Sequence, residues 1–187
     1  QRAIELLEVS HELIQPGLER LEGQERVRLE KLPRPNGRDD EIMDVVYLTP
    51  LYWGEVGVAE RIKALAKAQA PLLLQEKLPE TGIELSDEQG QAVKMALEHP
   101  VSILTGGPGT GKTTCLKALI TTLDAQKKRY ALASPTGRAA KRLSEATGSP
   151  ASTIHRLLEF SPVEGFKRDP DNPLNVDFLV VDEASML

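Results

Sequence analysis

The sequence predicts an α/β fold, a parallel sheet flanked by helices, preceded by a small α+β domain. Two observations support this prediction. From Leu85 onward, short apolar runs alternate with longer helical segments, as they do in parallel sheets. Before about Leu78, helical segments are followed by two runs that alternate like strands. The sequence therefore predicts two domains, residues 1–80 and residues 81–187.

The N-terminal domain opens with helical periodicity. Apolar residues recur at helical spacing in residues 4–7 and again in residues 11–14. The Pro16-Gly17 pair is expected to interrupt this pattern before residues 18–21, because proline and glycine are the strongest local breakers of helices. We therefore expect short, separate helices at the start of the chain.

A two-stranded ribbon and a further helix complete this domain. Arg26–Glu30 and Asp44–Leu48 alternate like antiparallel partners, joined by the polar loop Pro33–Asp40. Glu55–Ala70 is predicted to be helical and leads to a linker around Pro79–Gly82. Helices followed by such a ribbon are winged-helix-like, a shape that binds DNA in some proteins and docks partners or serves packing in others.

The C-terminal domain alternates helices and strands. Ser86 is expected to be the N-cap of a helix that carries Val93 and Leu97. Thr114–Leu123 is predicted to be a helix, and helices are expected in the other intervals. Three apolar runs are predicted to be strands: Val101–Leu104, Tyr130–Ala133 and Phe178–Val181. The last run is wholly apolar, which is typical of a strand buried on both faces.

The segment from Gly106 to Thr113 has the spacing Gly-x₄-Gly-Lys-Thr directly behind an apolar run, which is typical of a phosphate-binding loop. Glycines let backbone N–H groups turn toward a polyphosphate, and the following helix directs its positive N-terminus at the same anion. Lys112 would reach the β- and γ-phosphates, and the Thr113 hydroxyl would bind Mg²⁺. The expected nucleotide-binding residues here are Gly107, Pro108, Gly109, Thr110, Gly111, Lys112, Thr113 and Thr114.

An acidic pair, Asp182 and Glu183, follows the last predicted strand. We expect Asp182 to hold Mg²⁺ together with Thr113, and Glu183 to orient and deprotonate the attacking water. The predicted catalytic residues are therefore Lys112, Asp182 and Glu183. The alternative is that the pair only caps the start of a helix.

Composition limits the function classes. The formal charge of −5 argues against nucleic-acid binding by bulk electrostatics but leaves room for a local basic groove. The single cysteine, Cys115, excludes an internal disulfide, is compatible with a reducing cytoplasm and is expected to pack in the core. The sequence shows no membrane span. Its start lacks an initiator Met and a signal pattern, so it gives no targeting information and we expect a chain excised from a longer one. Because of the single cysteine we expect a cytoplasmic protein.

Four segments in order resemble a known family. Leu85–Val93 is similar to the Q-type motif of superfamily 1 helicases, Ser134–Ala140 to motif Ia, Ala151–Leu158 to the motif that follows in RecD-like helicases, and Asp182–Met186 to motif II. The chain thus resembles the RecD2/TraA branch of superfamily 1B. The resemblance implies a partial RecA-like P-loop NTPase, truncated after its acidic strand, in which Gln89 reads the adenine edge of ATP.

The same resemblance implies an ATP-driven helicase that moves 5′ to 3′ on single-stranded DNA in repair or recombination. Single-strand-binding protein or nuclease subunits are the implied partners, and we expect the 187-residue chain to bind nucleotide weakly without unwinding DNA. The implied DNA contacts are Pro135, Thr136, Gly137, Arg138, Thr153 and His155. The simpler alternatives are a helix cap for Thr136, a solvated charge for Arg138 and a packing role for His155.

Other function classes are weighed against this one. The chain lacks the Asn-Lys-X-Asp motif of GTP-dependent switches and the Leu-Ser-Gly-Gly-Gln-like signature of transporter ATPases. The helicase part of a conjugative relaxase-helicase and a DNA-dependent ATPase that does not unwind both stay open. A third alternative is a non-enzymatic role in which residues 1–78 dock a partner.

Overall fold

The structure is a computed structural model that describes residues 8, 10–35, 41–68 and 82–187. It separates into two compact units, Gln1–Lys67 and Ala68–Leu187. The predicted boundary between residues 80 and 81 lies outside the described residues, as does the predicted helix at residues 4–7. Those two assignments stay predictions.

The first unit begins with a continuous helix, α1 (His11–Gly23), which runs through Pro16. The predicted break at Pro16-Gly17 is therefore wrong. An interior proline removes one N–H donor and crowds the carbonyl four residues earlier, but most residues on either side of Pro16 are good helix formers, and the helix continues through it. The helix ends where the N–H of Gln24 donates to the carbonyl of Arg20.

An antiparallel hairpin follows, formed by β1 (Val27–Pro33) and β2 (Ile42–Leu48). Val27 pairs with Leu48 at one end and Pro33 with Ile42 at the other. Both predicted strands are confirmed, and each extends beyond its predicted range. Residues 36–40 of the connecting loop lie outside the described residues.

Helix α2 (Thr49–Lys67) begins directly after β2, earlier than the predicted start at Glu55. Proline at position 50 lies in the first turn, where the missing N–H has no helical acceptor to lose. The sequence prediction placed the start at Glu55 and so missed the first six residues of the helix.

Aromatic side chains join α2 to the hairpin. The ring of Tyr52 lies edge-on to Tyr47 and to Trp53, with centroids 5.7 and 5.1 Å apart. The Tyr52 hydroxyl donates to Glu30 Oε1 at 2.9 Å, and the Arg28 guanidinium stacks over Trp53 at 5.4 Å from the ring centroid. These contacts agree with a packing role for the aromatic pair at the start of α2.

The second unit is mixed α/β, as predicted. Its elements in chain order are α3 (Asp87–Glu98), α4 (Lys112–Ala125), β3 (Tyr130–Ser134), α5 (Gly137–Thr147), β4 (Ala151–Thr153), α6 (Ile154–Leu157), β5 (Phe160–Ser161), β6 (Gly165–Phe166), β7 (Phe178–Val181) and a 3₁₀ turn (Ala184–Met186). Strands β4, β3 and β7 form a parallel sheet in that order, and β5 and β6 form a small antiparallel hairpin.

One predicted strand is absent and one is less buried than expected. Val101–Leu104 pairs with no described strand, and Ile103 and Leu104 are exposed. A strand needs a neighbour to accept its ladder hydrogen bonds, and this run has none among the described residues. Among the described strands, β7 pairs only with β3, so it lies at a lateral edge of the described sheet. Leu179 is 46% exposed, so one face of β7 is not covered by the described residues, and the prediction of burial on both faces is wrong.

The core of the second unit gathers around α4. This helix carries six buried side chains, more than a one-sided amphipathic helix would. The buried apolar side chains of the core are Val93, Leu97, Cys115, Ala118, Leu119, Ile120, Leu123, Leu132 and Leu143. Burial of Cys115 confirms its predicted packing role. Within the described ranges, no helix is both long and apolar enough to cross a membrane.

An ion pair holds the start of β7 against the start of β3. The Arg129 guanidinium donates to Asp177 Oδ1 at 2.8 Å, and the backbone N–H of Arg129 donates to Asp177 Oδ2 at 2.9 Å. Arg129 also donates to the side chain of Asn175. The Arg129 side chain and backbone N–H lower the pKa of the Asp177 carboxyl to about 2. The sequence prediction missed this clamp, since its partners lie far apart in the chain.

Candidate nucleotide-binding site

The predicted phosphate loop forms a turn that leads straight into α4. Gly109 and Gly111 have φ values of +79° and +82°, a left-handed conformation that side chains disfavour. Gly111 is the N-cap of α4, so the helix begins at Lys112. Pro108 is exposed between the glycines. The glycine spacing is therefore required by the backbone of this turn.

Gly106 also belongs to the loop, although the sequence prediction left it out of the site. A Cβ at Gly106 would lie 2.6 Å from Thr110 Oγ1, which itself donates to the Gly107 carbonyl at 2.9 Å. Gly106 thus permits the close return of Thr110. The signal was present in the sequence, because Gly106 is the first glycine of the pattern.

The ammonium group of Lys112 lies against the phosphate loop. Its Nζ donates to the carbonyls of Gly106 and Gly107, at 2.6 and 2.8 Å. Thr113 and Thr114 follow in the first turn of α4, with Thr113 exposed and Thr114 half-buried. The loop therefore combines an ammonium group, a helix N-terminus and adjacent hydroxyls, which is the chemistry that binds a phosphate.

Gln89 lies beside the same loop. Ser86 caps α3 as predicted, and the pair forms a capping box in which Gln89 Oε1 accepts from the Ser86 N–H at 3.0 Å. Gln89 Nε2 donates to the Thr110 carbonyl at 3.4 Å. The structure thus brings Gln89 and the phosphate loop together.

The acidic pair follows β7, as predicted. The N–H of Asp182 donates to the Ala133 carbonyl at 2.9 Å, which extends the β3–β7 pairing by one residue. Asp182 is half-buried and Glu183 is exposed. No hydrogen bond or ion pair within the described ranges joins either carboxylate to the phosphate loop.

Glu183 has a strained backbone with φ of +54°. Among the described residues, four other non-glycine residues have positive φ, and three of them, Glu25, Lys127 and Glu159, come just after a helix, where this conformation is common; the fourth is Glu8. Glu183 instead lies between β7 and a 3₁₀ turn. Strain of this kind costs on the order of 1 kcal/mol and clusters at functional sites.

Strands β3, β4 and β7 end side by side at the carboxyl edge of the sheet, which is the edge formed by the C-terminal ends of the parallel strands. Ser134 on β3 pairs with Thr153 on β4, and Ala133 pairs with Val181 on β7. Asp182 therefore follows β7 at the same edge at which Ser134 and Thr153 end their strands. Ligands of open α/β sheets bind outside this carboxyl edge.

The predicted DNA contacts on β3 and β4 lie at this edge. Thr136 Oγ1 accepts from the Ala139 N–H at 3.2 Å and caps α5, and Thr153 Oγ1 accepts from the Arg156 N–H at 3.3 Å and caps α6. Both hydroxyls thus have a structural role. The other predicted residues at the start of α5 are Pro135, which is half-buried, and Gly137 and Arg138, which are exposed.

His155 packs among aromatic rings. Its imidazole lies 5.2 Å from Phe160 and 5.8 Å from Phe166, with the two phenyl rings 4.8 Å apart. Phe160 and Phe166 lie on β5 and β6, a hairpin that the sequence did not predict. The packed helix expected around Ile154 is the single turn α6, which has no buried residue. His155 is exposed, but its ring contacts agree with packing, the role that was weighed against DNA contact for this residue.

The expected Mg²⁺ ligands suit that ion. Thr113 offers a hydroxyl and Asp182 a carboxylate, and Mg²⁺ prefers hard oxygen ligands, with only one or two from the protein and the rest from phosphate and water. No cluster of three or more His, Cys, Asp or Glu side chains in the described part of the chain forms a metal site of another kind.

Comparison with known proteins adds to this geometry. A family model described as an AAA domain matches residues 89–187, which contain both the phosphate loop and the acidic pair. The chain belongs to the AAA domain family. Within this AAA family its relatives are RecD-like, which confirms the resemblance found in the sequence and the partial RecA-like P-loop fold.

Two of these relatives are RecD proteins by name. The chain is 45% identical over 103 residues to an ATP-dependent RecD2 DNA helicase of Deinococcus radiodurans, covering 55% of this chain and 14% of that protein. It is 36% identical over 174 residues to the RecBCD enzyme subunit RecD of Mycobacterium tuberculosis, covering 80% of this chain and 29% of that protein.

A third relative has another name. The ATP-dependent DNA helicase PIF1 of Trypanosoma brucei brucei is 31% identical over 105 residues, covering 56% of this chain and 10% of that protein. The chain therefore spans less than a third of the length of each of these three relatives.

Proposed function

We propose that this chain is part of a DNA helicase of superfamily 1 that couples ATP hydrolysis to movement on single-stranded DNA. The observation that carries the proposal is the shared edge of the sheet. Asp182, the predicted Mg²⁺ ligand, and the predicted DNA segments after Ser134 and Thr153 follow neighbouring strands at that edge. A change in the nucleotide at Asp182 is therefore transmitted to the DNA segments through directly paired backbone.

In the proposed reaction, Lys112 neutralises charge on the β- and γ-phosphates, and loop N–H groups bind the same oxygens. Thr113 and Asp182 would hold Mg²⁺, which would neutralise the charge that develops on the phosphates. Glu183 orients the attacking water and accepts its proton. The strained backbone of Glu183 supports this assignment, because strain of this kind clusters at functional sites.

The DNA would follow the carboxyl edge. Gly137 leaves room for close approach of the sugar-phosphate backbone, Arg138 pairs with a phosphate, and Pro135 and the two capping threonines shape the path. His155 would contribute through the aromatic cluster on which it packs. The names of the relatives, a DNA helicase and a subunit of the RecBCD enzyme, support DNA as the substrate and further enzyme subunits as partners. The resemblance of the motifs leads us to propose also that the DNA is single-stranded, that movement is from 5′ to 3′ in repair or recombination, and that the partners are nuclease subunits or single-strand-binding protein.

The test is strand displacement by the full-length protein on duplexes with either a 5′ or a 3′ single-stranded tail. We expect ATP-dependent unwinding of the 5′-tailed duplex alone, lost in Lys112→Ala. Unwinding from the 3′ tail would contradict the direction. ATP hydrolysis without displacement would favour a DNA-dependent ATPase, and a nickase domain in the same full-length protein would identify the relaxase-helicase alternative.

A further inference from the structure

The helix that follows Thr153 and carries His155 has little of its own to hold it in place. Helix α6 is a single turn and has no buried residue. A helix of one turn is marginal in water, because its few hydrogen bonds do not offset the cost of ordering the backbone. Its N-terminal end is fixed by Thr153, whose hydroxyl accepts from the Arg156 N–H at 3.3 Å. The orientation of α6 therefore depends also on contacts at its C-terminal end.

Arg168 makes those contacts. Its N–H donates to the Leu158 carbonyl at 3.2 Å, and its Nε donates to Glu159 Oε1 at 2.8 Å. Its Nη2 donates to the same carboxylate oxygen. Leu158 and Glu159 are the two residues that follow α6 directly. The backbone and the side chain of one residue thus hold the end of this helix.

The Arg168 guanidinium is itself fixed from another side. Its Nη1 donates to Asn172 Oδ1 at 3.2 Å, and Asn172 Nδ2 donates to the Lys167 carbonyl at 2.8 Å. The N–H of Asn172 donates to Asp169 Oδ1 at 2.8 Å, so the acceptor is held as well. All three nitrogens of the guanidinium donate to the protein. Because this group is planar, its three bonds fix the direction of the side chain.

The β5–β6 hairpin connects Arg168 to His155. Phe160 follows Glu159 directly, and Phe166 pairs with Phe160 across the hairpin. The His155 ring packs on both phenyl rings, with centroids 5.2 Å from Phe160 and 5.8 Å from Phe166. The ion pair of Arg168 with Glu159 therefore closes the open end of the hairpin whose rings support His155.

We propose that Arg168 is a positioning residue for the DNA path, because it holds α6 in place at the carboxyl edge of the sheet. Thr153 and His155 would then meet single-stranded DNA in a fixed orientation. The inference rests on the proposed function and adds a residue to it. Arg168 acts through its ion pair with Glu159 and not through a phosphate contact of its own, since the protein already uses all three guanidinium nitrogens.

The first test depends on the sign of a charge change. Glu159→Ala removes an anion, so it would strengthen DNA binding or leave it unchanged if only charge near the DNA mattered. Loss of the ion pair has the opposite effect. We expect Glu159→Ala and Arg168→Gln, made in the full-length protein, to bind a fluorescent single-stranded oligonucleotide about fivefold more weakly than the wild type. Wild-type or tighter binding by Glu159→Ala would overturn the inference.

Lys167→Gln is the matched control. It removes the neighbouring cation, which pairs with Glu164 at 3.2 Å, and leaves the bonds of Arg168 intact. We expect it to bind the oligonucleotide nearly as the wild type does. Losses of equal size in Lys167→Gln and Arg168→Gln would show that each cation acts by its charge alone, which would overturn the inference.

ATP hydrolysis by the same variants separates positioning from a general loss of structure. Without DNA, Glu159→Ala and Arg168→Gln should hydrolyse ATP as the wild type does, because the phosphate loop and the acidic pair are untouched. With DNA, both should need about fivefold more oligonucleotide for half-maximal stimulation. Slower hydrolysis without DNA in both variants would show a wider structural role and overturn the inference.

The last measurement tests the structural step and needs no DNA. Hydrogen exchange of the peptide that spans residues 153–159 reports on the N–H groups of Arg156, Leu158 and Glu159, which are bonded within or next to α6. We expect about fivefold faster exchange there in Glu159→Ala and Arg168→Gln than in Lys167→Gln, with α4 unchanged. Unchanged exchange around α6 would overturn the inference. A wild-type protein that does not bind single-stranded DNA would instead contradict the proposed function, and hydrogen exchange then decides whether Arg168 holds α6.

Discussion

At the scale of single residues, two side chains of the candidate site are expected to have different roles, one in nucleotide binding and one in hydrolysis. Lys112 makes direct contact with the loop that would hold phosphate, whereas Glu183 lies beyond the edge of the sheet. Loss of the first should remove an interaction with the bound polyphosphate. Loss of the second should leave binding intact and remove proton transfer.

Lys112→Ala is expected to weaken Mg-ATP binding by about 10-fold or more, because hydrogen bonds to a charged group contribute about 1.5–3 kcal/mol. Calorimetry on the 187-residue chain measures this. Lys117→Ala, an exposed lysine on the same helix, is the control and should bind as the wild type does. Equal affinities for Lys112→Ala and wild type would show that the loop is not the nucleotide site.

Glu183→Gln is expected to bind Mg-ATP as tightly as the wild type but to hydrolyse it about 100-fold more slowly or worse, the usual contribution of a general base. Single-turnover hydrolysis by the full-length protein measures the second quantity. Hydrolysis at the wild-type rate would assign the base to another residue.

Cys115 is expected to resist thiol reagents in the folded chain. It is 5% exposed, and burial raises the pKa of its thiol, so little reactive thiolate is present near neutral pH. Reaction with a chromogenic disulfide at pH 8 should be slow before and immediate after denaturation. Rapid reaction of the folded chain would contradict the core packing of α4.

At the scale of elements, the Arg129 clamp predicts how stability depends on acid. The folded pKa of Asp177 is about 2, below the unfolded value of about 3.9. A depressed carboxyl pKa contributes stability above the unfolded value and loses it as pH falls through the folded value.

Asp177→Asn should therefore lower the melting temperature at pH 6 and have progressively less effect from about pH 4 toward pH 2. Thermal melts of both chains across that range, followed by circular dichroism, measure this. The two groups are partly exposed, so salt should also reduce the difference. A difference in melting temperature that stays constant with pH would contradict a stabilising role for the Arg129–Asp177 ion pair.

The elements also explain what the sequence could predict. The capping box at Ser86, the long helix α4 and the hairpin β1–β2 were predictable because residues within one element determine them. Strand β4 was missed, because three residues carry no periodicity and exist as a strand only through pairing with β3. The strand predicted at Val101–Leu104 is absent for the converse reason, since this run has the composition of a strand but no described partner strand.

The candidate site shows the same division. The glycines, Lys112 and the acidic pair were predictable because a loop that binds phosphate constrains residue types at fixed spacing. The contact of Gln89 with Thr110 and the packing of His155 on Phe160 were not, since each joins segments whose distance only the fold determines.

At the scale of the whole molecule, α4 connects the phosphate loop to the core of the second unit. Leu123 is fully buried near the end of that helix. Leu123→Ala should lower the free energy of unfolding by about 2–5 kcal/mol through lost burial and a cavity, measured by urea denaturation. Leu104→Ala, at a 41% exposed position, should cost much less. Equal losses would contradict the placement of this core.

We propose that the nucleotide site and the DNA path share the carboxyl edge of one parallel sheet. The most direct measurement is ATP hydrolysis by the full-length protein with and without single-stranded DNA, for the wild type and for Arg138→Ala. Lys141→Ala, an exposed cation on the same helix, is the control. We predict strong stimulation by DNA in the wild type and the control, and a much higher DNA concentration for half-maximal stimulation in Arg138→Ala. Hydrolysis that DNA does not stimulate, or stimulation that Arg138→Ala leaves unchanged, would contradict the account.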